Sequence, residues 1–475
     1  MLTVGGNRHA RTRRFREWRP GIRRVLPRIP GEVMAVIAEL KARGFQAFLV
    51  GGALRDLFLG REPEDWDVAT SALPGQVEEV FPGRLLVHTG KRFGTVRVLT
   101  GEIPVDVTTF RREGTYTDGR RPDWVEFEES VVDDLSRRDF TVNAMALDPL
   151  AQKLVDPFRG RGDLRRRVIR TVGDPQSRFS EDALRMLRFY RFQAVLNFRG
   201  EAETERVIAQ VAAEDPSLLA KVSPERVREE LNKLLTGVAP GKALRGLVRT
   251  GLLTIIAPEF TPVVMDPELM EHLLATVEAI KPEPHLRWAA FLHDLGKPAT
   301  RIQDGTGIHY FGHEQAGEKL AAVLLERLRF SRAFTEKVLI LVRRHMFPCD
   351  PGMSDTALRR LAAKVGREAL IDLLELRRAD IVASGNHYHR AWRILSEFAS
   401  RIQALLREEK VLTLSDLAVN GRDVMAVLGL APGPEVGRVM QELFSWVTED
   451  PERNTRERLL RYLEEKKKKK ENSPC

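Results

Sequence analysis

The stretch from Phe48 to Thr70 restricts this chain more than any other. It opens as a short apolar run and passes through Gly51-Gly52. It continues as a helix led by Arg55 and Asp56, then enters a second β-like segment carrying Asp65 and Asp67. Strand residues two apart face the same side, so the spacing predicts that Asp65 and Asp67 project together with Trp66 opposite. Two carboxylates that close repel each other unless a cation lies between them. Magnesium suits such a pair, because it prefers oxygen ligands and binds one or two carboxylates together with substrate phosphates. Gly51 and Gly52 let the backbone come close to a phosphate, and Arg55 can clamp one. A plain turn before a solvated strand edge has the same local pattern, so the rest of the chain has to decide.

Around this stretch, apolar spacing predicts a helix over 31–43 ended by Gly44, and a strand over 46–50. It predicts a helix over 53–59, a strand over 66–69, a helix opened by Pro74, and strands over 85–89, 95–99 and 105–110. Beyond about Arg161 strand signals fade. Ser180 caps a helix expected to run to Leu196, Pro224 opens another, and helices broken by Pro and Gly pairs continue to Tyr462. The expected class is α+β, a small mixed head followed by a long helical neck, body and tail. The expected segments are a basic, disordered extension over 1–30, the head over 31–172, a neck over 173–262, a helical body over 263–400, a tail over 401–465 and a disordered Lys-rich end over 466–475.

Further groups along the chain suit phosphoryl chemistry. Asp106, in the alternating run from Pro104 to Arg111, supplies a third carboxylate if its strand neighbours that of Asp67, and two-metal phosphoryl transfer needs three. The charged, glycine-bearing loop from Arg111 to Asp123 suits a lid over an anionic substrate. In the cluster Arg137-Arg138-Asp139 followed by Asn143, the arginines can grip a phosphate and Asp139 or Asn143 can bond a ribose hydroxyl. From Ser180 to Phe192, Asp182, Arg185, Arg188 and Arg191 recur every three residues and can form one polar wall. There an Asp and an Arg one turn apart would offer an acceptor and donors to a base edge.

Residues 46–200 resemble the class II tRNA nucleotidyltransferases, the CCA-adding enzymes of bacteria, in the polymerase-β-like superfamily. The segments that carry the likeness are Val50-Gly-Gly-Ala-Leu-Arg-Asp56, Asp65-Trp-Asp67, Val105-Asp-Val-Thr-Thr-Phe110, Arg137-Arg-Asp-Phe-Thr-Val-Asn143 and Glu181-Asp-Ala-Leu-Arg185. The resemblance implies that Asp65 and Asp67 bind Mg2+, with Asp106 as the third carboxylate. It implies that Gly52 and Arg55 contact the triphosphate, that Arg138 and Asp139 hold nucleotide and ribose, and that Asp182 and Arg185 pair with the edge of cytosine or adenine. Arg188 and Arg191 would complete the pocket. The partners implied are CTP, ATP and the tRNA 3′ end. The segment from Leu412 to Gly437, with a turn at Asn420-Gly421, resembles the part of the family that docks tRNA. Bacterial poly(A) polymerases share the head motifs, and CC-only or A-only addition would use the same residues.

A second set of ligand types lies downstream: His272, His293-Asp294, His309, His313, His345 and Asp380. A buried His-Asp pair offers a nitrogen and a carboxylate to one ion, and further His and Asp residues can complete a hydrolytic metal shell. The pattern resembles the HD phosphohydrolase superfamily at His272, His293, Asp294 and Asp380, and its extended form at His313 and His345. A divalent transition metal and phosphate esters on nucleotides or RNA ends are what that resemblance implies.

Bulk properties agree with a polyanionic partner. The net charge is +9 over 475 residues. No apolar run reaches the length of a membrane span. Cys349 and Cys475 cannot form a disulfide framework, and a reducing cytoplasm is the expected home. The arginine-rich start fits an organellar transit peptide, a basic arm that touches RNA, or a solvated tail. The leading expectation is template-independent CCA addition. A phosphohydrolase whose head only binds RNA, and a non-enzymatic RNA scaffold, are the competing ones. Oligomeric state is not legible.

Overall fold

The structure, a computed structural model, describes residues 21–90, 94–113, 125–128, 130–385, 388–408 and 414–471. The arginine-rich start to residue 20 and most of the loop over 111–123 lie outside these residues. The chain forms two compact units that divide after Ile256, upstream of the expected boundary at 262/263.

The first unit is built on a seven-stranded mixed sheet. Its strands are β1 (Ala47–Val50), β2 (Trp66–Thr70), β3 (Leu86–Gly90), β4 (Thr95–Thr100), β5 (Ile103–Thr109), β8 (Ala146–Asp148) and β9 (Lys153–Val155), in the order β3-β4-β5-β2-β1-β8-β9. Between β5 and β8 the short strands β6 (Arg111–Glu113) and β7 (Val125–Phe127) pair with each other. Within this seven-stranded sheet, among the described residues, β2 and β5 pair in parallel and the other neighbours are antiparallel. Helix α1 (Gly31–Ala42) buries Val33, Val36, Ile37 and Leu40, the stripe its spacing predicts, against the sheet. Helix α2 (Gly51–Leu59) begins at the glycines themselves rather than after them: Gly51 takes φ +71°, and Gly60 ends the helix at φ +72°. Strands β8 and β9 carry no periodic signal, since all three residues of β8 are buried and leave no alternation to read. Val50, Ala69, Phe110, Val131, Leu135, Ala144, Ala146 and Val172 form one buried cluster beneath the carboxylate strands.

The neck departs from expectation at one place. The helix expected from Ser180 to Leu196 is two helices, α3 (Pro175–Glu181) and α4 (Leu184–Leu196). Asp182 breaks them with an extended backbone, φ −145° and ψ 102°, and its Oδ1 accepts the Leu184 N–H at 3.1 Å. This is the usual competition of a short polar side chain with the helical ladder. Helices α5 (Pro224–Leu235) and α6 (Pro240–Arg249) pack on α4. Gly246 allows the closest approach, because a Cβ there would lie 2.2 Å from the Tyr190 ring.

The second unit is mainly helical: α7 (Pro267–Ala279), α8 (Pro284–Leu292), α9 (His313–Arg327), α10 (Arg332–Arg344), α11 (Asp355–Val365), α12 (Arg367–Ala383), α13 (Tyr388–Glu408), α14 (Gly421–Leu428), α15 (Pro434–Glu449) and α16 (Arg456–Glu471). It also holds a β-hairpin, Ile302–Asp304 with Gly307–His309, where an all-α body was expected. Asp304 turns the hairpin by accepting the Thr306 N–H at 2.8 Å. Asn420 caps α14, accepting from Arg422 and Asp423. The Lys-rich end was expected to be disordered, yet α16 runs through Lys466 to Glu471. Leu459 and Leu463 anchor this helix in the tail core, Lys466 pairs with Glu442, and lysine is a good helix former. Among the described residues no helix is long and apolar enough to cross a membrane.

Candidate active site and a second candidate metal centre

The sheet register assembles the first centre. In the parallel pair β2–β5, Asp67 stands beside Asp106; in the antiparallel pair β4–β5, Arg97 stands beside Asp106 from the other side. Asp65 immediately precedes β2 and is exposed. Three carboxylates thus gather on this strand pair and the residue that precedes it, close enough for Asp106 and Asp65 both to act on Asp67. Burial, with Asp106 and Asp65 nearby, pushes the Asp67 carboxyl above its ordinary value, while Arg138 and Arg97 pull against it. Arg97 grips Asp106 in bidentate fashion, Nε to Oδ1 at 2.6 Å and Nη2 to Oδ2 at 2.7 Å.

The start of α2 lies directly against this group. A Cβ on Gly51 would lie 3.1 Å from Asp67 Oδ2 and 3.2 Å from Arg138 Nη1. The missing side chain therefore leaves a cradle beside a carboxylate and a guanidinium. A Cβ on Gly52 would lie 3.5 Å from Arg55 Nη2. Arg55 itself is pinned, donating to both Asp56 oxygens at 3.0 and 2.7 Å and to Asn143 Oδ1 at 2.8 Å. Arg138 donates to the buried Asp134 at 3.1 Å and to the Asn143 carbonyl at 3.5 Å. Burial alone would raise the Asp134 carboxyl, but Arg138 and Arg137 outweigh it and hold it low.

The neck supplies the far wall. Asp139 is buried; its Oδ1 accepts from Phe140 N and Asn143 Nδ2, and its Oδ2 accepts from Arg188 at 2.9 and 2.5 Å. Arg188 and Asn143 overcome the burial penalty and keep Asp139 ionised far below the usual carboxylate range. Arg191 Nε lies 2.7 Å from Glu230 Oε2, and its guanidinium sits 3.8 Å over the Phe192 ring. Burial and Arg188 pull Arg191 down to about 10. Arg55 and Arg188 flank the same ring at 5.3 and 5.6 Å. Asp182, at the helix break, does not share a helical face with Arg185, Arg188 and Arg191. Its Oδ2 accepts from Arg226 at 2.9 Å. Arg185 is held by Glu181 Oε2 at 2.6 Å and by the Arg137 and Arg178 carbonyls. Contacts and strand pairing link Asp67 and Asp106, and link Arg55, Arg138, Asp139, Arg188 and Arg191 through Asn143, Asp134 and Glu230, while Asp182 is held by Arg226; Arg97, Asp134, Arg226 and Glu230 are additions that sequence reasoning missed.

The donor set of Asp65, Asp67 and Asp106 is all carboxylate oxygen. With the Gly51 cradle beside it, that set fits a hard divalent cation such as Mg2+.

The second centre is made of helix ends. His272 lies on α7, His293 and Asp294 follow α8, His313 opens α9, His345 follows α10 and Asp380 lies on α12. The six do not converge on one point as a single-ion shell would. They form two groups joined by Asp294. Its Oδ2 lies 3.2 Å from His293 Nε2 and 3.4 Å from His272 Nε2, which is 3.3 Å from Asp380 Oδ1. Its Oδ1 lies 3.4 Å from His313 Nε2 and 3.5 Å from His345 Nε2. His293, His313 and His345 each place Nδ1 against a backbone carbonyl, at 2.9, 2.7 and 2.7 Å. Only N–H donation from Nδ1 satisfies that contact, so in the neutral ring each Nε2 carries the lone pair on the cluster side, the way metal-binding imidazoles are oriented. Burial opposes a charged His272, but Asp294 and Asp380 raise it to about 9, and Asp380 is held down to about 2. Gly296 permits the fold here, since a Cβ would lie 2.1 Å from the His313 carbonyl. His309 stands apart on the hairpin, bonded to Thr306 and stacked on Phe311. Lys297, 2.6 Å from Asp294, was not singled out in advance.

Comparison with known proteins places this geometry. Residues 47–170 match the family described as "Poly A polymerase head domain", 197–263 "Probable RNA and SrmB- binding site of polymerase A", and 313–463 "tRNA nucleotidyltransferase domain 2 putative". Head, neck and body are thus those of a nucleotidyltransferase that handles RNA ends. The chain is 35% identical over 445 residues to the CCA-adding enzyme of Geobacillus stearothermophilus, covering 93% of this chain and 98% of the relative. It is 32% identical to that of Leuconostoc mesenteroides, covering 87% and 90%. The crystal structure of the Bacillus stearothermophilus CCA-adding enzyme in complex with CTP superposes with a TM-score of 0.71 at 30% identity, over 95% of this chain and 99% of that one. The chain belongs to the CCA-adding enzymes, the tRNA nucleotidyltransferases that complete tRNA 3′ ends.

Proposed function

We propose that the head and neck centre adds C, C and A in turn to tRNA 3′ ends from CTP and ATP, with release of pyrophosphate. The observation that carries this reading is the register of Asp67 beside Asp106 on parallel neighbouring strands, faced by the arginine wall of the neck. In this reading Asp65, Asp67 and Asp106 hold Mg2+. The bound cation would supply neutralisation of the charge that develops at the transferred phosphoryl group. The tRNA 3′-oxygen attacks the α-phosphorus of the nucleotide, the bond to pyrophosphate breaks, and the hydroxyl proton passes to solvent. Gly51 and Gly52 admit the triphosphate against the backbone, and Arg55 and Arg138, each fixed by a carboxylate and by Asn143, present preorganised donors to it. Asp139 fixes Arg188 and Asn143 on the ribose side. Asp182 and Arg185 present an acceptor and donors to the base edge, and Arg188 and Arg191 close the pocket.

The test uses tRNA ending before C, after C and after CC, with CTP, ATP and Mg2+, and resolves products on a sequencing gel. Ordered completion of all three is expected. Runs of adenylate would make the chain a poly(A) polymerase, and a stop after CC would make it a CC-adding enzyme. Full activity in Asp67→Ala sinks the site assignment. We place the reaction in the cytoplasm with its tRNA substrate.

A specific observation favours a second activity. Asp294 turns one oxygen to each of two histidine groups, the arrangement of a carboxylate bridging two ions. We propose that this cluster binds divalent transition metal and hydrolyses phosphate esters on nucleotides or RNA ends. Metal analysis of protein grown in Mn2+, Co2+ or Zn2+, with phosphatase and cyclic phosphodiesterase assays, tests it. Metal-free protein after each supplement would end it.

A further inference from the structure

Arg97 lies outside every motif that carries the functional reading, yet it holds the third carboxylate. Thr100 and Ile103 pair across the turn at Gly101-Glu102, and the same ladder puts Arg97 opposite Asp106. The guanidinium donates two hydrogen bonds, from Nε to Asp106 Oδ1 at 2.6 Å and from Nη2 to Oδ2 at 2.7 Å. These are the oxygens a cation at this carboxylate would need. Arg97 also lies near enough to Asp65 and Asp67 to lower their mutual repulsion. The other arginines of the centre are held from several sides: Arg55 by Asp56 and Asn143, Arg138 by Asp134 and Asn143. The described hydrogen bonds of the Arg97 side chain all go to Asp106, and that side chain is 45% exposed. An exposed cross-strand ion pair is a weak restraint, and screening weakens it further. The side chain is free to swing on its flexible stem once a stronger cation takes its place.

We propose that Arg97 is a built-in counter-ion for Asp106. It occupies the carboxylate while no divalent cation is bound, and yields it when metal arrives with the nucleoside triphosphate. The proposal rests on the reading of Asp65, Asp67 and Asp106 as the metal-holding set. Its consequence is that the free head binds metal weakly. The triphosphate, which brings both its own metal ligands and an anion for Arg97 to turn to, drives the exchange.

The test is Mn2+ binding measured by electron paramagnetic resonance of free Mn2+, without nucleotide and with CTP. Wild type, Arg97→Gln, Arg97→Lys and Asp67→Asn are compared. The binding that Asp67→Asn removes defines the share of the head, so ions held by the histidine cluster drop out of the comparison. Without nucleotide, Arg97→Gln is expected to bind this Mn2+ about three- to tenfold more tightly, because a neighbouring positive charge and a competitor for Asp106 are gone. Arg97→Lys, which keeps the charge but loses the bidentate grip, falls between. With CTP the gap between Arg97→Gln and wild type shrinks. Unchanged affinity in Arg97→Gln would make the contact a plain surface pair, and weaker affinity would make Arg97 a support that orients Asp106; either overturns the proposal. If Asp67→Asn removes no Mn2+ binding, the metal-site reading itself fails and the proposal with it.

Discussion

The two acidic centres of this molecule solve opposite problems. In the head, carboxylates stand on and beside neighbouring strands, Asp65 exposed, and arginines supply the compensating charge: Arg97 on Asp106, Arg138 beside Asp67, Arg188 on Asp139. In the second unit, one buried carboxylate, Asp294, is ringed by imidazoles, and three of them, His293, His313 and His345, have their outer nitrogens tied to backbone carbonyls. Oxygen donors with exchangeable counter-ions suit a hard cation that enters and leaves with a triphosphate. Fixed nitrogen donors around a bridging carboxylate suit a transition metal that stays.

Substitutions at one centre should spare the other, and the largest effects test that separation. Asp67→Asn keeps the shape of the side chain and removes one charge of the proposed metal-holding set. CCA addition is expected to fall on the order of 10^3-fold or more, while the transition-metal content stays at the wild-type level. Gel extension assays beside metal analysis check both halves. Asp294→Asn is the reciprocal change. It should strip the cluster of metal and abolish phosphate-ester hydrolysis, yet leave CCA addition within about twofold, since sites that share no partner residue act independently. Loss of both activities in either variant would break the comparison.

Much of this was legible because local rules and the fold agree. Asp67 and Asp106 lie on the strands their alternation predicts, in register with each other, while Asp65 lies just before its strand. The helix of 31–42 is read from Val33, Val36, Ile37 and Leu40, all of which are buried. What was missed depends on contacts between segments far apart in sequence. Arg226 and Glu230 look like one exposed i,i+4 stripe of α5, and only the packing of α5 on α4 turns them toward Asp182, Arg188 and Arg191. Arg97 was within reach of sequence reasoning. It lies three residues before Thr100 and Asp106 three after Ile103, so a hairpin turned at Gly101-Glu102 pairs them. The break at Asp182 was hidden by good helix formers on both sides. The signal against a continuous helix was the Asp itself, which can bond a backbone N–H two residues on. The Lys-rich end shows the reverse error: a run of like charge was read as disorder, but Leu459 and Leu463 on the preceding turns dock the helix before the lysines begin.

The middle of the range tests the base contact proposed for Asp182. Asp182→Asn puts a donor where an amino group of cytosine or adenine would meet an acceptor. The expected loss is about 10- to 100-fold in kcat/KM for both nucleotides, the scale of one lost bidentate base contact, with more misincorporation of GTP or UTP. Single-nucleotide incorporation assays read it. Equal rates with an unchanged spectrum of products would move base choice elsewhere in the neck. Gly246→Ala tests the scaffold behind that wall. A Cβ meeting the Tyr190 ring at 2.2 Å must push α6 off α4, at a cost of about 1–3 kcal/mol. The first unit should melt earlier, with the second unit and its metal content unaltered.

The smallest effect concerns acid. Asp139 is ionised in the folded protein well below the usual carboxylate range because Arg188 and Asn143 outweigh its burial. A carboxyl lowered on folding contributes stability that is fully present above its unfolded value of about 4 and is lost as pH falls below it. By pH 3 the loss from this one group amounts to about 1 kcal/mol. Asp139→Asn removes the titration and leaves Arg188 to Glu230 alone, so the variant starts less stable at neutral pH but declines less between pH 5 and pH 3. Thermal melts of the first unit across that interval give the comparison. Parallel slopes for wild type and variant would mean that Asp139 is not the carboxylate whose protonation loosens the contact between head and neck.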